Sequence, residues 1–128
     1  MGMRAPSPHQ DLSVKLDRLF EAAKRWTSVW GYSRLMRELN IEFSPPNQSA
    51  LGRCDLTRKT VTLNGVLLLD PNEALLFETL CHELAHVVTV MRYGNRVEEH
   101  GPEWSECMEK AGFKARAKIP KSLIQFSG

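Results

Sequence analysis

The segment from residue 70 to residue 94 constrains the fold more than any other part of this 128-residue chain. It opens with Asp70-Pro71-Asn72-Glu73, which offers a cap residue, a proline at the first helical position and an acid three residues after the cap. Gly94 offers a C-terminal stop. In between, apolar residues recur at the spacing of one helical face: Leu76, Leu80, Leu84, Val87, Val88 and Met91. The pattern predicts a long amphipathic helix that runs to about Tyr93.

The middle of this helix carries His82-Glu83-Leu84-Ala85-His86, an H-E-x-x-H pattern. Positions four apart differ by only about 40° around a helix axis, so His82 and His86 share a face, roughly opposite the apolar stripe. Two imidazoles at this spacing can bind one Zn²⁺. Glu83 projects about 100° away from His82, beside the metal, where it can act as a general base towards water. The position of the histidines off the apolar stripe favours a metal centre over two core histidines.

A catalytic zinc needs a third protein ligand and an open fourth position. His100 is the natural candidate, because Gly101 permits an unusual turn after it and Pro102 can begin the next helix. The metzincin pattern is excluded, since Thr89 and Arg92 stand where it requires glycine and histidine. A thermolysin-like arrangement stays open, in which a carboxylate replaces the third histidine: Glu98, Glu99, Glu103 or Glu106.

The remaining patterns predict an α+β domain. Apolar residues at helical spacing predict helices over residues 12–30, 33–39 and 102–112. Short strands are expected at 41–43, 51–55 and 60–64, the last two forming a hairpin. The fold is therefore expected to have N-terminal helices, a short antiparallel sheet, the H-E-x-x-H helix and a following C-terminal helix. Trp26 and Trp30 lie on the apolar stripe of the first helix, which favours core packing over base stacking; Tyr32 is undecided.

The composition is that of one ordinary globular domain, with 42% apolar and 25% charged residues. Cys54, Cys81 and Cys107 form no Cys-x-x-Cys pair, so neither a disulfide framework nor a zinc ribbon is expected. No signal peptide is apparent near the N-terminus, and no uninterrupted apolar stretch is longer than Val66–Leu69. The protein is expected to be cytoplasmic, with no membrane partner.

Charge is unevenly distributed along the chain. Residues 70–109 hold nine acidic and two basic side chains, whereas residues 110–128 hold five basic and no acidic ones. The acidic stretch fits either solvated helix faces or the surroundings of a bound cation, and the basic stretch fits either a solvated tail or a contact with DNA phosphates. We expect a flexible N-terminus (1–11), a domain (12–113) and a basic tail (114–128). The tail cations that DNA would meet are Lys114, Arg116, Lys118 and Lys121.

The H-E-x-x-H pattern at 82–86, followed by His100-Gly101-Pro102-Glu103-Trp104, resembles the SprT-like family, which includes the Spartan-type proteases of DNA–protein crosslinks. The segments 51–53 and 61–64 resemble the strand pair that precedes the active-site helix of the family, and the resemblance extends over about residues 12–113. It implies a zincin-like fold, Zn²⁺ bound by His82, His86 and His100, and Glu83 as catalytic base. Trp104 would pack behind the third histidine. The implied function is a zinc-dependent metalloprotease that hydrolyses peptide bonds, with DNA-bound or DNA-crosslinked proteins as the substrate class.

Many members of this family carry a four-cysteine zinc ribbon after the domain, and residues 114–128 contain no cysteine. Any contact with DNA is therefore expected to come from the domain and its basic tail. The alternative function is a zinc-stabilised nucleic-acid-binding module with little or no hydrolysis, in which Cys81 or Glu103 closes the metal site. Glu83 favours the enzyme, because a purely structural zinc site has no need of it.

Overall fold

Three α-helices and one small sheet form the part of the chain that the computed structural model describes, residues 8–126. The helices are α1 (Pro8–Val29), α2 (Glu73–Tyr93) and α3 (Pro102–Lys110). The strands are β1 (Asn40–Ser44), β2 (Gly52–Asp55) and β3 (Thr60–Asn64). The predicted α+β class is confirmed. Helix α1 begins four residues before the predicted start, and the rest of the expected flexible N-terminus, residues 1–7, lies outside the described residues.

The sheet has the strand order β1-β3-β2 and is mixed. β2 and β3 are antiparallel, as the predicted hairpin requires, and Asp55 stabilises the turn between them by accepting hydrogen bonds from the amides of Thr57 and Arg58. β1, however, pairs parallel with β3, so the prediction of a wholly antiparallel sheet is wrong. The reason is the path of the chain: it reverses direction between β1 and β2 and again in the hairpin, so β3 runs the same way as β1. Because β3 is the most buried strand and takes the centre, it pairs with β1 as well as with β2.

Helix α2 lies at the centre of the core and packs against α1, α3 and the sheet. Its predicted apolar stripe is confirmed, with Leu76, Leu80, Leu84 and Val88 fully buried. The predicted cap is wrong, because residues 70–72 form a 3₁₀ turn and the α-helix begins at Glu73. The Asp70 carboxylate instead pairs with the ammonium of Lys15 at 2.9 Å.

The aromatic residues after and within α1 belong to the core. Trp26, Trp30 and Tyr32 are all less than a tenth exposed. The indole of Trp30 donates a hydrogen bond to the carbonyl of Cys107 at 2.8 Å, which ties α1 to α3. Core packing was expected for the two tryptophans, and burial also removes Tyr32 as a platform for stacked bases. The segment 33–37 is a 3₁₀ helix, shorter and tighter than the helix predicted there.

Residues 114–126, which we call the strap, lie back against the domain. Ile119 and Ile124 are buried in the core. Arg116 binds the carboxylate of Glu78 on α2 through two hydrogen bonds of 2.6 and 2.7 Å. The amide side chain of Asn72, which is fully buried, bonds both the carbonyl and the amide of Gln125 at 2.8 Å. The basic segment is therefore a packed element, and its three lysines are exposed to solvent.

The region Asp70–Arg96, which includes α2, is long and apolar enough to cross a membrane by length and composition alone. Half of its most apolar window is buried inside the domain. Core helices of soluble proteins meet the same criterion, and the apolar side chains of α2 are those that form this core.

Candidate active site

His82 and His100 face each other across the gap between α2 and the loop before α3. Their Nε2 atoms lie 3.1 Å apart, and their ring centroids are separated by 4.9 Å. His82 is held in the middle of α2, whereas His100 is carried by a turn in which the amide of Gly101 donates to the carbonyl of Glu98. The two ring nitrogens that can donate lone pairs therefore point into one shared space.

Gly101 supports this turn through its small size. Its φ of −81° and ψ of −167° are extended backbone that any residue adopts, so the predicted unusual turn is wrong. A Cβ at this position would lie 3.1 Å from the Cβ of Glu98, which is tighter than ordinary contact. Pro102 begins α3 as predicted.

Trp104 supports both histidines. Its ring lies 4.9 Å from the ring of His82 and 4.8 Å from that of His100, edge-on in both cases. Its indole N–H donates a hydrogen bond of 3.1 Å to the carbonyl of His82, and the side chain is almost fully buried. Trp104 therefore serves as core of α3 and as the wall behind the histidine pair.

The arrangement fits zinc at two ligand positions. Tetrahedral coordination at about 2.0–2.1 Å places two ligand nitrogens about 3.3 Å apart, close to the 3.1 Å between His82 and His100. His86 lies one turn further along α2 and is half-buried. Over residues 8–126, no three His, Cys, Asp or Glu side chains meet in an arrangement that could hold a metal ion. The structure therefore brings together two of the three predicted ligands, His82 and His100, and does not group His86 with them.

The protonation of His82 suits metal binding. Burial, together with the neighbouring His100 and His86, lowers the pKa of His82 to about 4. The ring of His82 is therefore neutral at pH 7, the form in which imidazole coordinates a metal.

Glu83 is half-buried between α2 and β2. Burial raises its pKa to about 7, and the charge of Glu99 acts in the same direction, whereas a hydrogen bond with the thiol of Cys54 opposes the rise. Burial also raises the pKa of Cys54 to about 12, with further contributions from the charge and the hydrogen bond of Glu83. The carboxyl group thus sits in a weakly polar environment beside a neutral thiol.

Two neighbours of Glu83 were missed by sequence reasoning. Gly52 and Cys54 stand two apart on β2, so they share a face of the strand, and that face meets α2. A Cβ on Gly52 would lie 3.3 Å from the side chain of Glu83 and 2.7 Å from Cγ2 of Thr79. The alternation of side chains along β2 predicts that Gly52 and Cys54 share a face. It does not predict that this face packs against α2.

The other predicted candidates lie as follows. Cys81 is fully buried in the core, and burial raises its pKa, so it faces away from the histidine pair. Glu106 is exposed and pairs with Lys110 at 2.8 Å; the hydrogen bond from Lys110 lowers its pKa. Glu98 and Glu99 are exposed and Glu103 is half-buried.

A cavity of about 260 Å³ opens beside His82 and Glu83. Its floor is formed by α2, one wall by residues 49–52 and the opposite wall by the strap. Glu83 is therefore reachable by a molecule that enters from solvent.

The fold and the site define a class: a small α+β domain whose central helix carries H-E-x-x-H, with a histidine from the next loop facing it. The sequence profile of the SprT-like family matches residues 16–123, and the chain belongs to this family. The match includes most of the strap as well as the whole site.

Three relatives named Protein SprT show the degree of similarity. The relative from Vibrio atlanticus is 39% identical over 74 residues, 58% of this chain and 43% of its own length. The relative from Vibrio parahaemolyticus is 40% identical over 60 residues, 47% of this chain and 36% of its own length. The relative from Escherichia coli K12 is 41% identical over 80 residues, 62% of this chain and 47% of its own length. The chain thus spans less than half the length of these relatives. No solved structure gives a significant match.

Proposed function

We propose that this protein is a zinc-dependent metallopeptidase that hydrolyses peptide bonds in protein substrates. One observation carries the proposal: the Nε2 atoms of His82 and His100 face each other 3.1 Å apart, and the accessible carboxyl group of Glu83 belongs to the residue that follows His82. Membership of the SprT-like family supports the same function.

The proposed zinc ligands are His82, His86 and His100. His86 is on the same face of α2 as His82, four residues on, and is the half-buried histidine nearest in sequence to the assembled pair. Zinc held by histidines supplies Lewis-acid chemistry, polarising a carbonyl group and lowering the pKa of water. Trp104 keeps His82 and His100 in place, which leaves less reorganisation to accompany metal binding.

Glu83 is the proposed general base. Its carboxylate takes the proton of the attacking water and passes it to the nitrogen of the leaving amine. The raised pKa of Glu83, about 7 in the absence of metal, reflects an environment in which the carboxylate is a stronger base than in water. The small size of Gly52 lets the side chain of Glu83 lie against β2, which restricts the direction of its carboxyl group.

The substrate is proposed to bind in extended form along β2. This strand is an edge of the sheet, and Gly52 at its start lines the cavity beside Glu83. An edge strand can add a peptide strand through main-chain hydrogen bonds, which serves many sequences equally. DNA-associated proteins are the proposed substrate class, on the strength of the family resemblance, with Lys114, Lys118 and Lys121 as the exposed cations of the strap.

The test is to measure the zinc content of the purified protein by mass spectrometry and its cleavage of casein and histone, with and without single-stranded DNA. We expect one zinc per chain and cleavage by the parent. Glu83→Gln should keep the fold and the zinc but lose cleavage, because the amide cannot accept the proton of water. Glu73→Gln, the same change at the start of the same helix, where Glu73 pairs with Arg18 and lies outside the cavity, should cleave at the parent rate. If the zinc-loaded protein binds DNA but cleaves neither casein nor histone, the alternative function, a zinc-stabilised nucleic-acid-binding module, would be established instead.

A further inference from the structure

The cavity beside Glu83 has apolar walls. Leu51 and Ala50 contribute to one side, and Ala117 and Ile119 of the strap contribute to the other. The floor is formed by Thr79 together with the two site residues of α2. The hydroxyl of Thr79 donates to the carbonyl of Leu75 at 2.7 Å, so it is already satisfied within the helix. The cavity thus offers aliphatic surface as well as charged groups to an entering side chain.

Two lysines line this cavity. Lys118 and Lys121 are both exposed, whereas Glu83 alone is acidic among the described residues that line it. Neither lysine forms an ion pair with any side chain in the described part of the chain, although nearby Arg116 and Lys110 are paired with Glu78 and Glu106. Within residues 8–126, Lys118 and Lys121 are therefore unpaired cations in the lining of the cavity.

The backbone that carries these lysines is anchored on both sides. Ile119, between them, is buried in the core, and Arg116 is bound to Glu78 just before them. After them, Ile124 is buried and Gln125 is held by Asn72. The two ammonium groups are thus presented from a fixed segment, which reduces the entropy lost when they bind a partner.

We propose that this cavity is a substrate subsite that selects an acidic side chain, aspartate or glutamate, at a position adjacent to the cleaved bond. The aliphatic stem lies against Leu51 and Ile119, and the carboxylate meets Lys118 and Lys121 at the rim. The adjacency follows because the same cavity is lined by Glu83 and His82. This inference rests on the proposed peptidase function and adds its substrate preference.

A DNA phosphate is the other anion that these lysines could meet. A phosphate backbone would draw on every cation along the strap, yet Arg116 is occupied by Glu78. The apolar walls of the cavity also offer nothing to a phosphate, whereas they suit the stem of a glutamate. The geometry favours the peptide.

The cleavage arm of the test uses a library of synthetic peptides, with the cut positions found by mass spectrometry. The zinc-loaded parent should cleave peptides with aspartate or glutamate beside the cut about fivefold more efficiently than their amide counterparts, the scale of an exposed charge pair. Lys118→Glu and Lys121→Glu should each abolish this preference. Lys114→Glu, the same charge change on the same strap outside the cavity, should keep it. Cleavage without any acidic preference, or an equal loss in all three variants, would overturn the inference.

The binding arm does not depend on turnover. It measures the affinity of zinc-loaded Glu83→Gln for a fluorescein-labelled alanine hexapeptide with one central glutamate, and for its glutamine twin. We expect the glutamate peptide to bind about fivefold more tightly, and Lys118→Glu to remove the difference. A parent that cleaves nothing but shows this lysine-dependent binding would refute the peptidase and keep the acidic subsite. Equal affinity for both peptides, or tighter lysine-dependent binding of an oligo-dT strand, would refute the subsite.

Discussion

Gly52 determines how closely β2 approaches the active-site helix. A Cβ at this position would lie 2.7 Å from Cγ2 of Thr79, a distance that real Cβ atoms do not tolerate, and 3.3 Å from the carboxyl side chain of Glu83. The missing side chain therefore leaves the space that the side chain of Glu83 occupies beside β2. The orientation of the proposed base, Glu83, therefore depends on the absence of a side chain at Gly52.

Gly52→Ala should destabilise the protein by about 1–3 kcal/mol, as overpacking does, and should lower peptidase activity because Glu83 is displaced. Thermal unfolding and casein cleavage measure the two effects. Adding Thr79→Ser removes the clashing methyl group and keeps the hydroxyl that bonds Leu75, so the double variant should regain most of both losses. A double variant no better than Gly52→Ala would show that the contact is not the cause.

Glu83→Gln should stabilise the metal-free protein at high pH. The folded pKa of about 7 lies above the ordinary value of 4.5, so the unfolded chain ionises first and the free energy of unfolding falls as pH rises between these values. Above pH 7 the parent should be less stable than the variant by about 3 kcal/mol, and below pH 4 the difference should vanish. Urea unfolding in a chelator at several pH values measures this. A pH-independent difference would mean that packing, and not ionisation, separates the two proteins.

His100→Ala should weaken zinc binding by more than about 100-fold, since a direct ligand contributes more than an outer-sphere partner. Glu98→Ala, Glu99→Ala and Glu103→Ala should each retain the metal. Competition with a chromophoric zinc chelator gives the affinities. Retained zinc in His100→Ala, together with its loss in one glutamate variant, would establish the thermolysin-like arrangement in place of three histidines.

The strap reads as a basic tail in the sequence, whereas in the structure it packs against the domain. One buried side chain, Asn72, joins it to the start of α2 and to the carbonyl of Val66 through three hydrogen bonds of 2.8 Å. Because the strap also forms one wall of the cavity, the connection links the stability of a surface segment to the shape of the site.

Asn72→Ala should cost about 3 kcal/mol, because it leaves the buried carbonyl of Val66 and two partly buried backbone groups of Gln125 without partners. It should also increase amide hydrogen exchange in residues 119–126 more than in the middle of α2. Asn40→Ala is the matched control, since the exposed amide of Asn40 bonds only the carbonyl of Glu38, at 3.3 Å. Equal exchange of the strap in both variants would mean that the isoleucines alone hold it.

At the scale of the whole molecule, the domain extends beyond Phe113. The core that surrounds α2 includes Ile119 and Ile124, both less than a tenth exposed. The match to the SprT-like family likewise continues to residue 123. We therefore expect the strap to unfold together with the helices and the sheet.

A variant that ends at Phe113 should lose several kcal/mol of stability, since each buried isoleucine contributes about 1.5–3 kcal/mol. A full-length variant with Lys114, Lys118 and Lys121 changed to alanine removes the exposed charge but keeps the packing, and should unfold at the parent temperature. Differential scanning calorimetry compares the three proteins. An equally stable shortened chain would show that the strap is an appendage.

Local patterns in the sequence were sufficient to predict the three α-helices, the hairpin and the candidate site residues His82, Glu83 and His100, but not that the segment 33–37 is a 3₁₀ helix. Helical periodicity and the spacing of four residues depend on neighbours along the chain, so they can be read without knowing the fold. The placement of Trp26 and Trp30 in the core followed from the same periodicity.

Only the tertiary structure decided the features that join distant segments. The parallel pairing of β1 with β3, the contact of Gly52 and Cys54 with Glu83, and the packing of the strap on Asn72 each connect residues about 20 to 50 positions apart. Such contacts depend on which surfaces are buried together. The local sequence of a strand or a basic segment does not identify the element that packs against it. For the same reason the cavity and its two lysines, formed where three separate segments meet, became visible only in the folded chain.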